Sequence, residues 1–283
     1  MDAKAYLGLV RPLNCVMIGF AVVVGFFVSK PSVTSSSWLQ VALGFLTGLF
    51  ICAYSMVVND VYDVEVDKIN APSRPVASGR VSVLSASRFA IVLLLAGLAC
   101  ALLSLSPVAV GIAALYAFLS WLYNSVAKKT GLAGNAIVAS SLAIPFIYGG
   151  VVSGGSYAGS LLLMMALTAF FSGVGREVVK AMADVEGDAK RGVESVARSS
   201  GMRVAAAVGA AFFLFAVFSS WAPLLTGIAN RFYMAGVVVP DAVFVGLACA
   251  ILLRPDGARA RKVKRYALFG MLIGLVVFIG GAF

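Results

Sequence analysis

Apolar residues run through this chain in long blocks, separated by short segments that hold nearly all of the charge. Blocks near 13–29, 38–58, 88–105, 107–124, 132–152, 158–175, 204–225, 236–253 and 266–283 each approach the roughly 20 residues a helix needs to cross the hydrocarbon core of a bilayer. None alternates with the period of two that marks a strand, and within lipid only helices or closed barrels satisfy the backbone. The expected fold is therefore all-α, an integral membrane bundle of about nine transmembrane helices forming a single domain over residues 1–283. The first block runs into Lys30, Pro31 and a Ser-rich turn without a small-x-small cleavage site, so it is read as a retained span.

Composition agrees: 61% of residues are hydrophobic and 12% charged, whereas soluble domains carry about a quarter charged residues. Histidine is absent, which excludes His metal ligands, His bases and Ser-His-Asp or Cys-His machinery. Cys15, Cys52, Cys100 and Cys249 lie scattered in apolar runs with no CxxC pair, so neither a zinc site nor a disulfide framework is expected. The net charge of +10 is strongly one-sided. With the N-terminus and every second connection on one side, that side carries twenty Lys and Arg residues, against Lys30 and Arg231 on the other. The basic side faces the cytoplasm by the positive-inside rule, giving a cytoplasmic N-terminus and an outer C-terminus. The charge then serves topology and attraction to anionic membrane lipid, and no nucleic-acid partner is needed.

All acidic residues except Asp241 fall on the same side, mostly within 60–67 and 177–194, after the second and sixth spans. That four-span separation suggests a degenerate repeat, each half giving one acidic wall to a central cavity. If the second span continues as a helix through Asn59-Asp60-Val61-Tyr62-Asp63-Val64-Glu65-Val66-Asp67, then Asn59, Asp60, Asp63 and Asp67 share roughly a 100° arc and Glu65 points elsewhere. In the second cluster Glu177, Lys180, Asp184 and Asp188 share roughly 80°, with Glu186 facing away. Carboxylates crowded on one face need a counter-charge, and hard oxygen ligands select Mg²⁺ or Ca²⁺. Magnesium commonly completes its shell with substrate phosphate, so two facing clusters describe a diphosphate site. A lone DxxxD would be a solvated helix end; two, at corresponding span ends, are functional candidates.

The series Asn59-Asp60-x-x-Asp63-x-x-x-Asp67, followed by Asn70, Arg74-Pro75 and Ser78-Gly79, resembles the first signature of the UbiA superfamily of intramembrane prenyltransferases. Lys180 with Asp184, Glu186, Gly187 and Asp188 resembles the second. Tyr123, Lys128 and Gly134-Asn135 resemble the fourth-span loop, and Arg11-Pro12-x-Asn14 the first-helix motif. The resemblance covers nearly the whole chain and implies a nine-helix fold and Mg²⁺-dependent alkyl transfer with two ions. It implies metal ligands Asn59, Asp60, Asp63, Asp67, Asp184 and Asp188, the five aspartates being catalytic, and substrate-binding residues Asn14, Asn59, Arg74, Tyr123, Lys128 and Lys180.

The cations would clamp the departing diphosphate, a dry intramembrane pocket would shield an allylic cation, and Tyr62, Tyr116, Tyr123 and Tyr148 would offer it aromatic faces. Arg11-Pro12-Leu13-Asn14-Cys15 and the second motif look most like the archaeal branch that alkylates geranylgeranylglyceryl phosphate to build ether lipids. The expected partners are a prenyl diphosphate, geranylgeranyl diphosphate first, and an anionic acceptor, geranylgeranylglyceryl phosphate or an aromatic acid such as 4-hydroxybenzoate. The expected setting is the cell membrane, with the site opening to the cytoplasm. A secondary transporter is the non-enzyme alternative, though its coupling residues should lie near mid-membrane. Asp256-Gly257-Ala258-Arg259 partly echoes CDP-alcohol phosphotransferases without their downstream acids, and is read as a turn in a basic loop.

Overall fold

A computed structural model describes residues 2–30, 34–154, 160–190, 192–225 and 230–281. Its helices are α1 (Ala3–Val10), α2 (Pro12–Ser29), α3 (Ser35–Tyr62), α4 (Val64–Asn70), α5 (Val83–Leu103), α6 (Pro107–Ser125), α7 (Leu132–Ser153), α8 (Ser160–Ala183), α9 (Val185–Lys190), α10 (Val196–Ser199), α11 (Met202–Leu225), α12 (Arg231–Leu253) and α13 (Gly257–Gly281). A 3₁₀ turn, Ala127–Lys129, links α6 to α7. Among the described residues there is no strand, and nine helices are long and apolar enough to cross a membrane. Large apolar side chains such as Leu95, Phe118, Phe218 and Leu253 point outward, as they should where the surrounding solvent is lipid.

Three differences from the sequence reading bear on the site. The short helix α1 precedes the first span: Asp2 caps it by accepting from the Ala5 N–H at 3.2 Å, and it docks Ala5 and Leu9 into the core. It ends at Arg11, whose backbone is left-handed (φ 50°), and Pro12 then opens α2, where its missing N–H costs nothing. Second, α8 continues to Ala183 and α13 begins at Gly257, so Arg176, Glu177, Lys180, Arg261, Lys264 and Arg265 ride on helices where hydropathy places a loop. Third, both acidic segments interrupt their helices. The ladder pauses at Asp63 (φ −92°, ψ 6°) between α3 and α4, and at Asp184 between α8 and α9.

One apolar core joins α1, α3 and α5 through residues such as Leu9, Val57 and Leu93; another joins α8, α11, α12 and α13 through Val178, Phe213, Ile251 and Val263. Helices α2 and α7 cross between them, so close that a Cβ on Gly25 would strike the Phe146 carbonyl, and one on Gly149 would strike the Val22 carbonyl and the Phe26 backbone nitrogen, the latter at 2.6 Å. Small residues allow such approach where no hydrophobic force pulls membrane helices together.

Candidate active site

Helices α3 and α6 are joined by a polar ladder that repeats every four residues on each strand of contact. Ser120 Oγ donates to Ser55 Oγ (2.8 Å), Asn59 Nδ2 donates to Asn124 Oδ1 (2.8 Å), and Lys128 Nζ, just past the end of α6, donates to Asp63 Oδ2. Each pair is 65 residues apart, the constant offset of two helices running in parallel. Asn59 Nδ2 also donates to Asp63 Oδ2 at 3.2 Å, which leaves the Asn59 amide oxygen free to face a cation. Four residues on, the Asp67 N–H bonds to the Asp63 carbonyl at 2.7 Å, and the Asp67 carboxylate receives Arg74 Nη1 at 2.5 Å. Arg74 is set by the turn after α4, its N–H donating to the Ala71 carbonyl and its carbonyl accepting from Ser78.

Asp60 goes another way. Its carboxylate, 2% exposed, is bound by Arg11 at 2.5 Å and by Arg74 at 3.4 Å. Of this cluster, Asn59, Asp63 and Asp67 line the cavity; Asp60, one helical step of about 100° from Asn59, lies behind them, buried against the α1–α2 link. Asp60 stands at the edge of the arc the sequence predicts, and Arg11 and Arg74 hold it away from the cavity wall, so the four residues do not share one face of the site. Glu65 is 81% exposed at its side chain and pairs with Lys68 at 2.7 Å. Exposed pairs of this kind contribute little, so Glu65→Gln is expected to change transfer by less than about twofold; a loss as deep as that for Asp63→Asn would put Glu65 in the machinery.

Opposite, Glu177 is 4% exposed and accepts from Arg176 Nη1 at 2.9 Å and from Lys180 Nζ at 2.8 Å. Asp184 faces Lys264 of α13 at 3.4 Å, and the Asp188 N–H bonds to the Asp184 carbonyl at 2.9 Å. The Glu186 side chain, the Asn70 side chain and Arg191 lie outside the described residues.

One cavity of about 830 Å³ takes in both clusters. Asn14, Asn59, Asp63, Asp67, Arg74, Tyr123, Lys128, Lys180, Asp184 and Asp188 all line it. Its deeper wall is apolar, with Met17, Ile51, Leu142, Phe146 and Leu275, and carries the rings of Tyr116 and Tyr148. Tyr62 is 47% exposed and does not line it. Lys128 Nζ sits 5.9 Å from the Tyr123 ring centre, within cation–π range.

Several lining residues escape a reading of the chain alone. Asn124 is one, although the matched four-residue steps Ser55, Asn59, Asp63 and Ser120, Asn124, Lys128 hold the signal. Asp241 is another: it lies within α12, lines the cavity, and accepts from Ser220 Oγ at 2.9 and 3.0 Å. Asp256, by contrast, caps α13, its Oδ1 accepting from the Arg259 N–H at 2.7 Å, so the phosphotransferase echo is a helix start.

Among the described residues no three acidic or thiol side chains converge as a preformed metal cage. The side chains of the two clusters nonetheless offer oxygen donors, Asp63 and Asp67 on one side and Asp184 and Asp188 on the other, along one cavity, which fits Mg²⁺, an ion that keeps water and substrate phosphate in its shell.

The model of the UbiA prenyltransferase family matches residues 18–276. A digeranylgeranylglyceryl phosphate synthase from Archaeoglobus fulgidus is 37% identical over 284 residues, covering 99% of this chain and 96% of the relative. A solved structure concerned with digeranylgeranylglyceryl phosphate synthase in membranes superposes with a TM-score of 0.78 at 31% identity, covering 99% of this chain and 98% of the other. A UbiA homologue from Archaeoglobus fulgidus, solved with GPP and Mg²⁺, shares the fold with a TM-score of 0.65 at 18% identity over 97% of this chain and 99% of its own. The nine apolar helices among the described residues make this a multi-pass membrane protein, and the chain belongs to the UbiA prenyltransferase family.

Proposed function

We propose that this protein transfers a geranylgeranyl group from its diphosphate to the free hydroxyl of geranylgeranylglyceryl phosphate, at the cytoplasmic side of the cell membrane. The observation that carries the reading is the single cavity that joins two carboxylate pairs and their cations to a long apolar wall. The names of the synthase relatives support the acceptor, and the homologue holding GPP and Mg²⁺ supports the donor and the metal. The charge asymmetry of the chain supports a cytoplasmic N-terminus and opening.

Asp63 and Asp67 with the Asn59 amide oxygen on one side, and Asp184 and Asp188 on the other, would hold two magnesium ions. Bound there, magnesium supplies Lewis-acid charge to the leaving diphosphate. Asp60 we assign to positioning: it holds Arg11 and Arg74 toward the cavity. Arg74, Lys128 and Lys180 bind the diphosphate oxygens and are already aimed by their carboxylate partners. The allylic carbon–oxygen bond breaks with its electron pair leaving on the diphosphate. The acceptor hydroxyl oxygen then bonds to that carbon, and its proton passes to the released diphosphate or to a cavity carboxylate. The apolar wall seats the prenyl tail and excludes water, while Tyr116, Tyr123 and Tyr148 face the positive carbon with their ring quadrupoles.

The test is transfer of radiolabelled geranylgeranyl diphosphate by purified protein in detergent, with and without Mg²⁺, offering geranylgeranylglyceryl phosphate and 4-hydroxybenzoate side by side. Magnesium-dependent labelling of the glyceryl phosphate is expected. Labelling of the aromatic acid alone would replace the acceptor, and no labelling of either would sink the reading.

A further inference from the structure

The cations lining the cavity fall into two kinds. Arg11, Arg74, Lys128, Arg176 and Lys180 each have a carboxylate partner in Asp60, Asp63, Asp67 or Glu177. Arg261 and Arg265 line the same cavity and have no ion-pair partner among the described residues. Both are exposed side chains on the first turns of α13, so they form the rim rather than the depth. Lys264 stands between them, reaching Asp184 at 3.4 Å. Positions 261, 264, 265 and 268 recur at three- and four-residue steps and all line the cavity, which makes one helix face of them. On the same helix Val263 and Ala267, each at most 1% exposed, face the core and fix that orientation.

Two adjacent guanidinium groups without a counter-charge, anchored on a packed helix beside a cavity, form a receptor for a planar set of phosphate oxygens. The diphosphate is already served by the paired cations Arg74, in the turn after α4, Lys128, in the turn after α6, and Lys180, on α8. We propose that Arg261 and Arg265, assisted by Lys264, form a second anion subsite that seats the phosphate monoester headgroup of the lipid acceptor. This rests on the prenyl-transfer reading above. It has two consequences: the headgroup docks at the rim while the acceptor hydroxyl reaches inward, and the Lys264–Asp184 pair ties the acceptor subsite to the second acidic cluster. The same chemistry could be offered by phosphodiester headgroups of the bilayer, and the experiment separates the two sources.

Equilibrium binding to the purified full-length protein in neutral detergent would compare geranylgeranylglyceryl phosphate with its dephosphorylated alcohol, using wild type, Arg261→Gln/Arg265→Gln, and Arg261→Lys/Arg265→Lys. The wild type is expected to prefer the phosphorylated lipid by about tenfold or more, since bonds to charged groups are the stronger class. The Gln pair should lose that preference to about twofold or less and the Lys pair keep part of it, while geranylgeranyl diphosphate binding with Mg²⁺ moves by less than about twofold. Three results would overturn the proposal: an absent or unchanged preference, an equal loss of diphosphate binding, or displacement of the acceptor by phosphatidylglycerol at equal concentration, which would make the arginines a bilayer anchor. Failure of the prenyl-transfer reading would show separately, as absent label transfer, because this measurement needs no turnover.

Discussion

Asp63→Asn and Asp184→Asn should each lower geranylgeranyl transfer by roughly 10²- to 10³-fold, the scale seen when one electrostatic element of a transition-state clamp is removed. Asp63 sits at the pause in its helix, where its carboxylate takes Asn59 and Lys128 and borders the cavity. An Asn there is isosteric and still accepts from Asn59 and Lys128, so the α3–α6 ladder survives while the charge of the proposed metal ligand is lost. Asp184 is the corresponding residue of the second cluster; its side chain is 42% exposed, and it packs against nothing that needs its charge except Lys264. Initial rates at saturating Mg²⁺, read beside the size-exclusion profile and thermal midpoint in detergent, decide the matter. Near-normal rates in both variants would dismantle the metal clamp. A collapsed midpoint would show that the charge serves the fold.

Gly149→Val is expected to be the most damaging change to assembly. The new Cβ would meet the backbone of α2 at Val22 and Phe26, on a helix that cannot step aside because Phe146 and Gly25 are in the same contact one turn away. Overpacking usually costs about 1–3 kcal/mol when side chains can yield; here backbone meets backbone, so the loss should exceed about 3 kcal/mol. The controls are Gly111→Ala and Gly246→Ala, exposed helical positions with nothing within 4 Å of an added Cβ. Thermal denaturation in detergent should leave the two controls at the wild-type midpoint and drop Gly149→Val far below it. Equal midpoints for all three would mean that α2 and α7 do not meet as described.

Hydropathy is a direct record of what lipid demands, and so the spans were readable from the chain with their order and number. It fails where a helix keeps going after its residues turn polar. Arg176, Glu177 and Lys180 continue α8, and Arg261, Lys264 and Arg265 begin α13, because backbone hydrogen bonding does not depend on whether the side chain meets lipid or a wet cavity. The eight-residue α1 is too short to register as a span, and only Asp2 and Pro12 mark its ends. Within the site, spacing singled out Asn59, Asp63, Asp67, Asp184 and Asp188, all of which line the cavity. Spacing had no way to give Arg11 to Asp60, 49 residues away, because that pairing depends on how α1 and α2 meet α3. Arg261 and Arg265 were absorbed into a count of topology charges, since sequence cannot show which face of a helix lines a cavity.

The carboxylates of both clusters already carry protein cations: Arg11 and Arg74 on Asp60, Arg74 on Asp67, Lys128 on Asp63, Arg176 and Lys180 on Glu177, and Lys264 near Asp184. Biogenesis and catalysis are thereby uncoupled. A nascent chain can be threaded into the bilayer and reach its final form without a cofactor to hold like charges apart, unlike small metal-dependent domains that remain unfolded until loaded.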